Sequence, residues 1–184
     1  MNKKRFFSLM IAICVITGLF AKGNMFSKGD KVANVSIGLG SNLYNGLGGG
    51  IPPIGLSLEY GIKDNLFDSK SSLGVGGYAG FTSASDSYFG TSISYTSIIL
   101  GARGILHYQL VDKLDTYAGV LLGVNIASSK VSGGLLPSGY GATAGGLVYA
   151  GFIGARYYFT PKFAALAELG YGIALLNLGV SIKL

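Results

Sequence analysis

Charge is scarce in this chain: Asp, Glu, Lys and Arg make up 12% of its 184 residues, about half the share usual in soluble domains. Of 14 basic residues, Lys3, Lys4 and Arg5 sit at the extreme N-terminus. The other 11 face 8 acidic ones, a net charge of about +3. That excess is too small and too scattered for a nucleic-acid footprint, so no nucleic-acid partner is expected. Cysteine and histidine are nearly absent. Cys14 and His107 are single occurrences, which leaves no ligand cluster for a metal. Long apolar runs are missing too: beyond residue 21 none approaches the ~20 residues of a transmembrane helix.

The one apolar run, Phe6 to Phe20, follows Lys3, Lys4 and Arg5 and ends at Ala21-Lys22-Gly23. Basic flank, short apolar stretch and small residue together predict a secretory signal peptide over 1–21, cleaved near Ala21, with the mature unit over 22–184. An uncleaved N-terminal anchor is the alternative. Cys14 follows Ile13 rather than the small residue that a lipoprotein cleavage site needs, so lipidation is not expected.

Glycine is abundant, 31 of 184 residues, or about 17% against an average near 7%. Its distribution explains why. At the C-terminus Leu176, Leu178, Val180, Ile182 and Leu184 alternate with Asn177, Gly179, Ser181 and Lys183. Successive side chains of a strand point to opposite faces, so this is a strand with one apolar and one polar side.

The pattern recurs along the mature chain. Ala33, Val35, Ile37 and Leu39 oppose Asn34, Ser36, Gly38 and Gly40; Ile54, Leu56, Leu58, Tyr60 and Ile62 oppose Gly55, Ser57, Glu59 and Gly61. Leu73, Val75, Ala79 and Phe81 oppose Ser72, Gly74, Gly76, Tyr78 and Gly80. In the fourth segment Ile98, Leu100, Ala102, Leu106 and Tyr108 oppose Ser97, Gly101, Arg103 and His107, with Ile105 as an apolar intruder. Ala118, Val120, Leu122, Val124 and Ile126 oppose Gly119, Gly123 and Asn125 in the fifth; Ile153, Ala155, Tyr157 and Phe159 oppose Gly154, Arg156 and Tyr158 in the sixth. Phe163–Tyr171 sets Ala165, Ala167 and Leu169 against Glu168 and Gly170. With the C-terminus this makes eight strands of about nine to eleven residues, the length of a tilted membrane-spanning strand.

Connections alternate in length. Segments 41–52, 82–93 and 128–146 are long and rich in Gly, Ser, Asn and Tyr, whereas 62–70, 109–114 and 160–162 are shorter and more charged. The very short connection at 172–174 breaks the rule. Tyr60, Tyr108, Tyr157, Phe159 and Phe163 fall beside the short turns, with Tyr117 close by; Phe81, Tyr95, Tyr149 and Tyr171 fall towards the other ends. Two aromatic girdles mark the two interfaces of a membrane barrel. A soluble barrel would need a charged outer wall, and these residues cannot supply one. The apolar face therefore belongs to lipid and the small polar face to a narrow lumen.

Signal peptide, eight alternating strands, Gly-Ala-Arg-Tyr-Tyr-Phe-Thr-Pro-Lys at 154–162, Ala-Glu-Leu-Gly-Tyr-Gly at 167–172 and the alternating C-terminus together resemble the small OmpA/OmpX-type outer-membrane β-barrel families. The resemblance implies an all-β, eight-stranded antiparallel up-and-down transmembrane barrel in a Gram-negative outer membrane. It implies a monomer in outer-membrane lipid, delivered by periplasmic chaperones to the assembly machinery, with the long loops outside the cell. The chain departs from those families in ending on Leu184 rather than an aromatic residue.

Glu59, Arg103, His107, Arg156, Glu168 and Lys183 fall on the inner face, where ionised groups need partners. Arg156 and Glu168 flank the Pro161 turn at nearly equal distances, which predicts cross-strand neighbours. Glu59 and Arg103 should lie at one depth. Apart from His107, these inner-face residues form the expected lumen charge network, Glu59, Arg103, Arg156, Glu168 and Lys183, plugging the barrel; charges lining a small water channel are the alternative.

No enzyme is expected. His107 has no Ser and acid at catalytic spacing. Gly74-Val-Gly-Gly-Tyr-Ala79 matches a dinucleotide fingerprint by letter, but it lies within a strand and leads into no helix. No cofactor is implied. Two function classes remain open: a structural or surface-interaction barrel meeting a ligand through the loops around Tyr44, Tyr88 and Tyr140, and a narrow porin-like channel for small solutes or hydrophobic compounds. A lipid-modifying enzyme would instead depend on His107.

Overall fold

The computed structural model describes residues 24–41, 50–88, 90–133 and 141–184. The expected signal peptide, and the loop segments holding Tyr44 and Tyr140, lie outside them.

Eight strands follow one another as β1 (Lys31–Ser41), β2 (Gly50–Asp64), β3 (Ser71–Tyr88), β4 (Thr91–Val111), β5 (Leu114–Gly133), β6 (Gly141–Tyr158), β7 (Phe163–Tyr171) and β8 (Ala174–Lys183). Each pairs antiparallel with its sequence neighbours, and β1 pairs with β8 from Val32↔Lys183 to Ser41↔Ala174, closing the ring. Closure leaves no backbone edge within the wall, a condition for strands that cross lipid. Pro52 and Pro53, which lack an N–H, fall where the β2–β3 register shifts between Ile51 and Ile54, the irregularity in which a strand tolerates proline.

The two faces are inverted relative to a soluble protein. Val35, Ile37, Leu56, Leu58, Val120, Leu122, Leu178 and Val180 are exposed, while Asn34, Ser36, Glu59, Ser97, Arg103, Asp115, Arg156, Glu168 and Ser181 are buried. Burial normally runs the other way. The chain is therefore an up-and-down transmembrane β-barrel with its apolar side outward.

Strand lengths depart from the nine to eleven residues expected. β4 and β5 have 21 and 20, and β3 and β6 have 18 each. Much of 82–93 and 128–146, read as loop from its Ser and Gly content, is paired: Tyr88 faces Thr91 and Lys130 faces Gly141. Beyond the lipid a ribbon needs no apolar face, so Ser- and Thr-rich segments pair without the alternation that marks a spanning strand. β2 likewise continues to Asp64, and β4 and β5 meet at a tight turn where Lys113 has φ +65°.

Tyr117 is not part of the aromatic girdle. It is buried inside the barrel against Ile105 and Leu166, so the apolar intruder on β4 is a packing residue of the lumen.

Candidate functional site

Strand parity brings the ionisable side chains to one level of the lumen. Glu59 on β2 is paired across Gly76 of β3 with Arg103 of β4, placing Glu59 and Arg103 at one depth. Four residues along β4, on the same face, stands His107. Opposite it on β5 is Tyr117, and Asp115 of β5 pairs with Arg156 of β6.

Two clusters result. In the first, Arg103 Nη2 donates to Glu168 Oε1 at 2.6 Å, and the Tyr117 hydroxyl donates to the same oxygen at 2.9 Å. Arg103 Nη1 also donates to Ser57 Oγ at 3.3 Å, and its guanidinium lies 4.0 Å over the Phe152 ring. In the second, Arg156 donates to both Glu59 and Asp115, the latter contact 3.2 Å long. His107 sits between the same two carboxylates. Its Nδ1 is 2.8 Å from Asp115 Oδ1, and its Nε2 contacts Glu59 Oε1. With an acceptor at each nitrogen, only the doubly protonated ring donates to both. That form balances two carboxylates against Arg156 and His107.

Burial makes this balance necessary. Arg156 is wholly enclosed and Glu59 is 1% exposed, so either charge left alone would carry the full cost of desolvation. Cation and aromatic faces complete the packing, with the Arg156 guanidinium 4.7 Å from the Tyr117 ring centre. Glycine creates the room. A Cβ at Gly154 would lie 2.6 Å from the Tyr117 ring, and one at Gly74 would lie 2.7 Å from Glu59 Oε1 and 3.1 Å from the Phe26 ring.

The segment preceding β1 packs beneath this layer. Its Gly29 amide donates to the Gly61 carbonyl of β2 and the Gly61 amide to the Asp30 carbonyl, the Met25 amide donates to Gln109 Oε1, and Ser72 Oγ donates to the Phe26 carbonyl. Phe26, 2% exposed, stacks on His107. Lys183 belongs to this strap rather than to either cluster, pairing with Asp30 at 2.6 Å and donating to the Met25 carbonyl.

Above the charges the lumen turns apolar. Ile99, Leu121, Val148 and Ile173 form a buried layer backed by Tyr78, Ala150 and Phe152. Between the layers a cavity of about 30 Å³ touches Arg103, Glu168 and Asn177, room for about one water.

Arg156 and Glu168 are not cross-strand partners. The β6–β7 register centres on Pro161, so Arg156 faces Leu166 and Glu168 faces Gly154; the two side chains turn to different neighbours. Sequence reasoning missed Asp115, assigned to no strand, and Phe26, assigned to no element. Asp115 shares parity with Gly119 and Gly123 of β5, a signal available once the strand is extended back. His107 was visible on the inner face without its carboxylate partners. Both its nitrogens are taken, which leaves none to activate a nucleophile. Among the described residues no group of three or more His, Cys, Asp or Glu could hold a metal ion.

No family model and no curated protein matches the chain. Among solved structures it is similar to the N-terminal β-barrel domain of Pseudomonas aeruginosa OprF, at 16% identity and a TM-score of 0.56 over 86% of this chain and 100% of that one. It is also similar to Ail, the attachment invasion locus protein of Yersinia pestis, in complex with the heparin analogue sucrose octasulfate, at 16% identity and 0.45 over 84% and 93%. Neisserial surface protein A gives 16% and 0.47 over 84% and 94%. At such identities the likeness to the OprF barrel shows a shared fold.

Proposed function

We propose that this chain, which has the fold of the small eight-stranded outer-membrane barrels, is an integral outer-membrane protein with a structural or surface-interaction role and a lumen plugged by paired charges. On this reading residues 1–21 are a leader removed near Ala21, the termini and short turns face the periplasm, and β3–β6 project outward. Periplasmic chaperones and the assembly machinery deliver it to the membrane as a monomer.

The observation that carries the reading is the double seal. Glu59, His107, Asp115 and Arg156 fill one level with Phe26 beneath them, and Ile99, Leu121, Val148 and Ile173 fill the next. Eight strands leave space for side chains alone, and these side chains occupy it. A protein with nothing to pass through its centre acts through its surface.

The projecting sheet offers such a surface. β6 gains a partner in β7 only from Gly151↔Tyr171, so among the described residues its earlier part is paired on one side alone. Residues 141–147 of that edge are exposed and contain neither charge nor proline, the devices that usually blunt an edge. An extended segment of a surface partner could add to it through main-chain bonds. The occupied nitrogens of His107 weigh against a lipid-modifying enzyme.

The test is a chain shortened by joining residue 125 to residue 146, which removes most of that exposed edge together with the part of β5 it pairs with. If the role lies at the surface, adherence to host material, phage or envelope partners is lost while heat-modifiable migration stays intact. Unchanged adherence would overturn the surface role.

A further inference from the structure

The outer wall is not evenly covered. Between β4 and β7 it is hollowed into a groove of about 560 Å³, within the roughly 300–1,000 Å³ range of ligand pockets. The cause lies in the sequence. Ala118, Ala155 and Ala167 supply small side chains on three adjacent strands, while Leu106, Ile153 and Leu169 stand around them. These share the parity of the exposed Val120, Tyr157 and Leu122, so the hollow opens on the apolar side of the wall.

At its turn end the groove is bounded by Tyr108 and Thr116. Neither adds a free polar group. Thr116 Oγ1 donates to the Tyr108 carbonyl, and the Tyr108 hydroxyl donates to Asp68 Oδ2 at 2.9 Å. The second bond also holds the ring in place as a fixed wall. The lining is therefore apolar, preformed and continuous with the surface assigned to lipid.

We propose that this groove binds one acyl chain of a phospholipid from the periplasmic leaflet, held as a bound ligand rather than as a freely exchanging neighbour. The inference rests on the membrane placement given above. Continuity decides the occupant: the hollow is part of the apolar wall turned to lipid, where acyl chains are what it meets. A slender, flexible chain fills the hollow along its length, and buried apolar surface is the driving force. The residues lining the hollow include no charged side chain, so the acyl chain rather than the headgroup is the recognised part.

The test is native mass spectrometry of the full-length protein purified from vesicles of phosphatidylethanolamine and phosphatidylglycerol, released from detergent. The expected result is a monomer retaining one phospholipid of either headgroup. Ala155→Leu and Ala167→Leu fill the groove and remove that species. Ala165→Leu, on the same face of β7 but outside the groove, keeps it. Heat-modifiable migration verifies that each variant is folded, and Ala118→Leu replaces any that is not.

A wild-type monomer without lipid, a lipid-free dimer, or equal retention by all variants overturns the proposal. A membrane-inserted barrel without bound lipid sinks this inference alone. A chain that stays soluble and monomeric without detergent sinks the membrane placement as well.

Discussion

Phe26 and His107 stack face to face, ring centres 4.0 Å apart and planes 22° from parallel, so the segment before the first strand is packed directly onto the charged layer of the lumen. That contact ties the strap to the wall, and it can be removed without deleting a charged side chain. Phe26→Ala is expected to cost about 3–5 kcal/mol, the range for deleting a buried phenyl ring, in urea unfolding of the folded protein in lipid. Hydrogen exchange should localise the loss. Amides of Gly29 and Gly61 lose protection, while those of β4 and β5 keep theirs.

Arg156 is the cation that both Glu59 and Asp115 share. Arg156→Met removes it and leaves two enclosed carboxylates facing His107 alone, a loss of about 3–5 kcal/mol. Adding Glu59→Gln and Asp115→Asn removes the uncompensated charge and is expected to recover part of that loss. Equal stability of the single and triple variants would show that the charges do not act as one network.

Gly154 faces the Tyr117 ring too closely for a side chain. Gly154→Val should therefore destabilise by about 1–3 kcal/mol through overpacking, and Tyr117→Ala in the same chain should relieve much of the strain. A purely additive pair, measured as a double-mutant cycle, would count against this contact.

Asp68, in the turn between β2 and β3, gives the account a pH dependence. The Tyr108 hydroxyl, and after it the Lys70 amide, hold its carboxyl below the ordinary value. A lowered folded pKa means that its contribution is complete above the unfolded value, near 3.9, and is lost as pH falls through the folded value. Amides of residues 65–70 should then exchange faster below about pH 4, and Asp68→Asn should abolish that change. An acid response that persists in the variant would assign it to another group.

The wall of this barrel was legible because lipid imposes a strict rule. Each spanning strand must show apolar residues at every second position, so β7 could be bounded at Phe163 and Tyr171 and the faces of β1, β2 and β8 assigned residue by residue. Outside the lipid the rule lapses, and the paired ribbons at 82–93 and 128–133 looked like loops. Parity also placed Glu59, Arg103, Arg156 and Glu168 on the inner face. Partner choice depends on register: about Pro161, Arg156 lies five residues before the centre and Glu168 seven after, and that two-residue offset was enough to separate them. Phe26 left no signal at all, since one aromatic residue in a short polar segment has no period to betray what it covers.

The central claim is that the centre of this barrel is closed, and the direct measurement is solute flux through the purified, heat-modifiable protein in liposomes and planar bilayers. No swelling and no steady conductance are expected for the wild type. The same holds for an Arg103→Ala, Glu168→Ala chain, because Ile99, Leu121, Val148 and Ile173 still block the level above. Swelling at the rate of a general porin, or a conductance that changes when Glu59 or Arg103 is neutralised, would contradict the account.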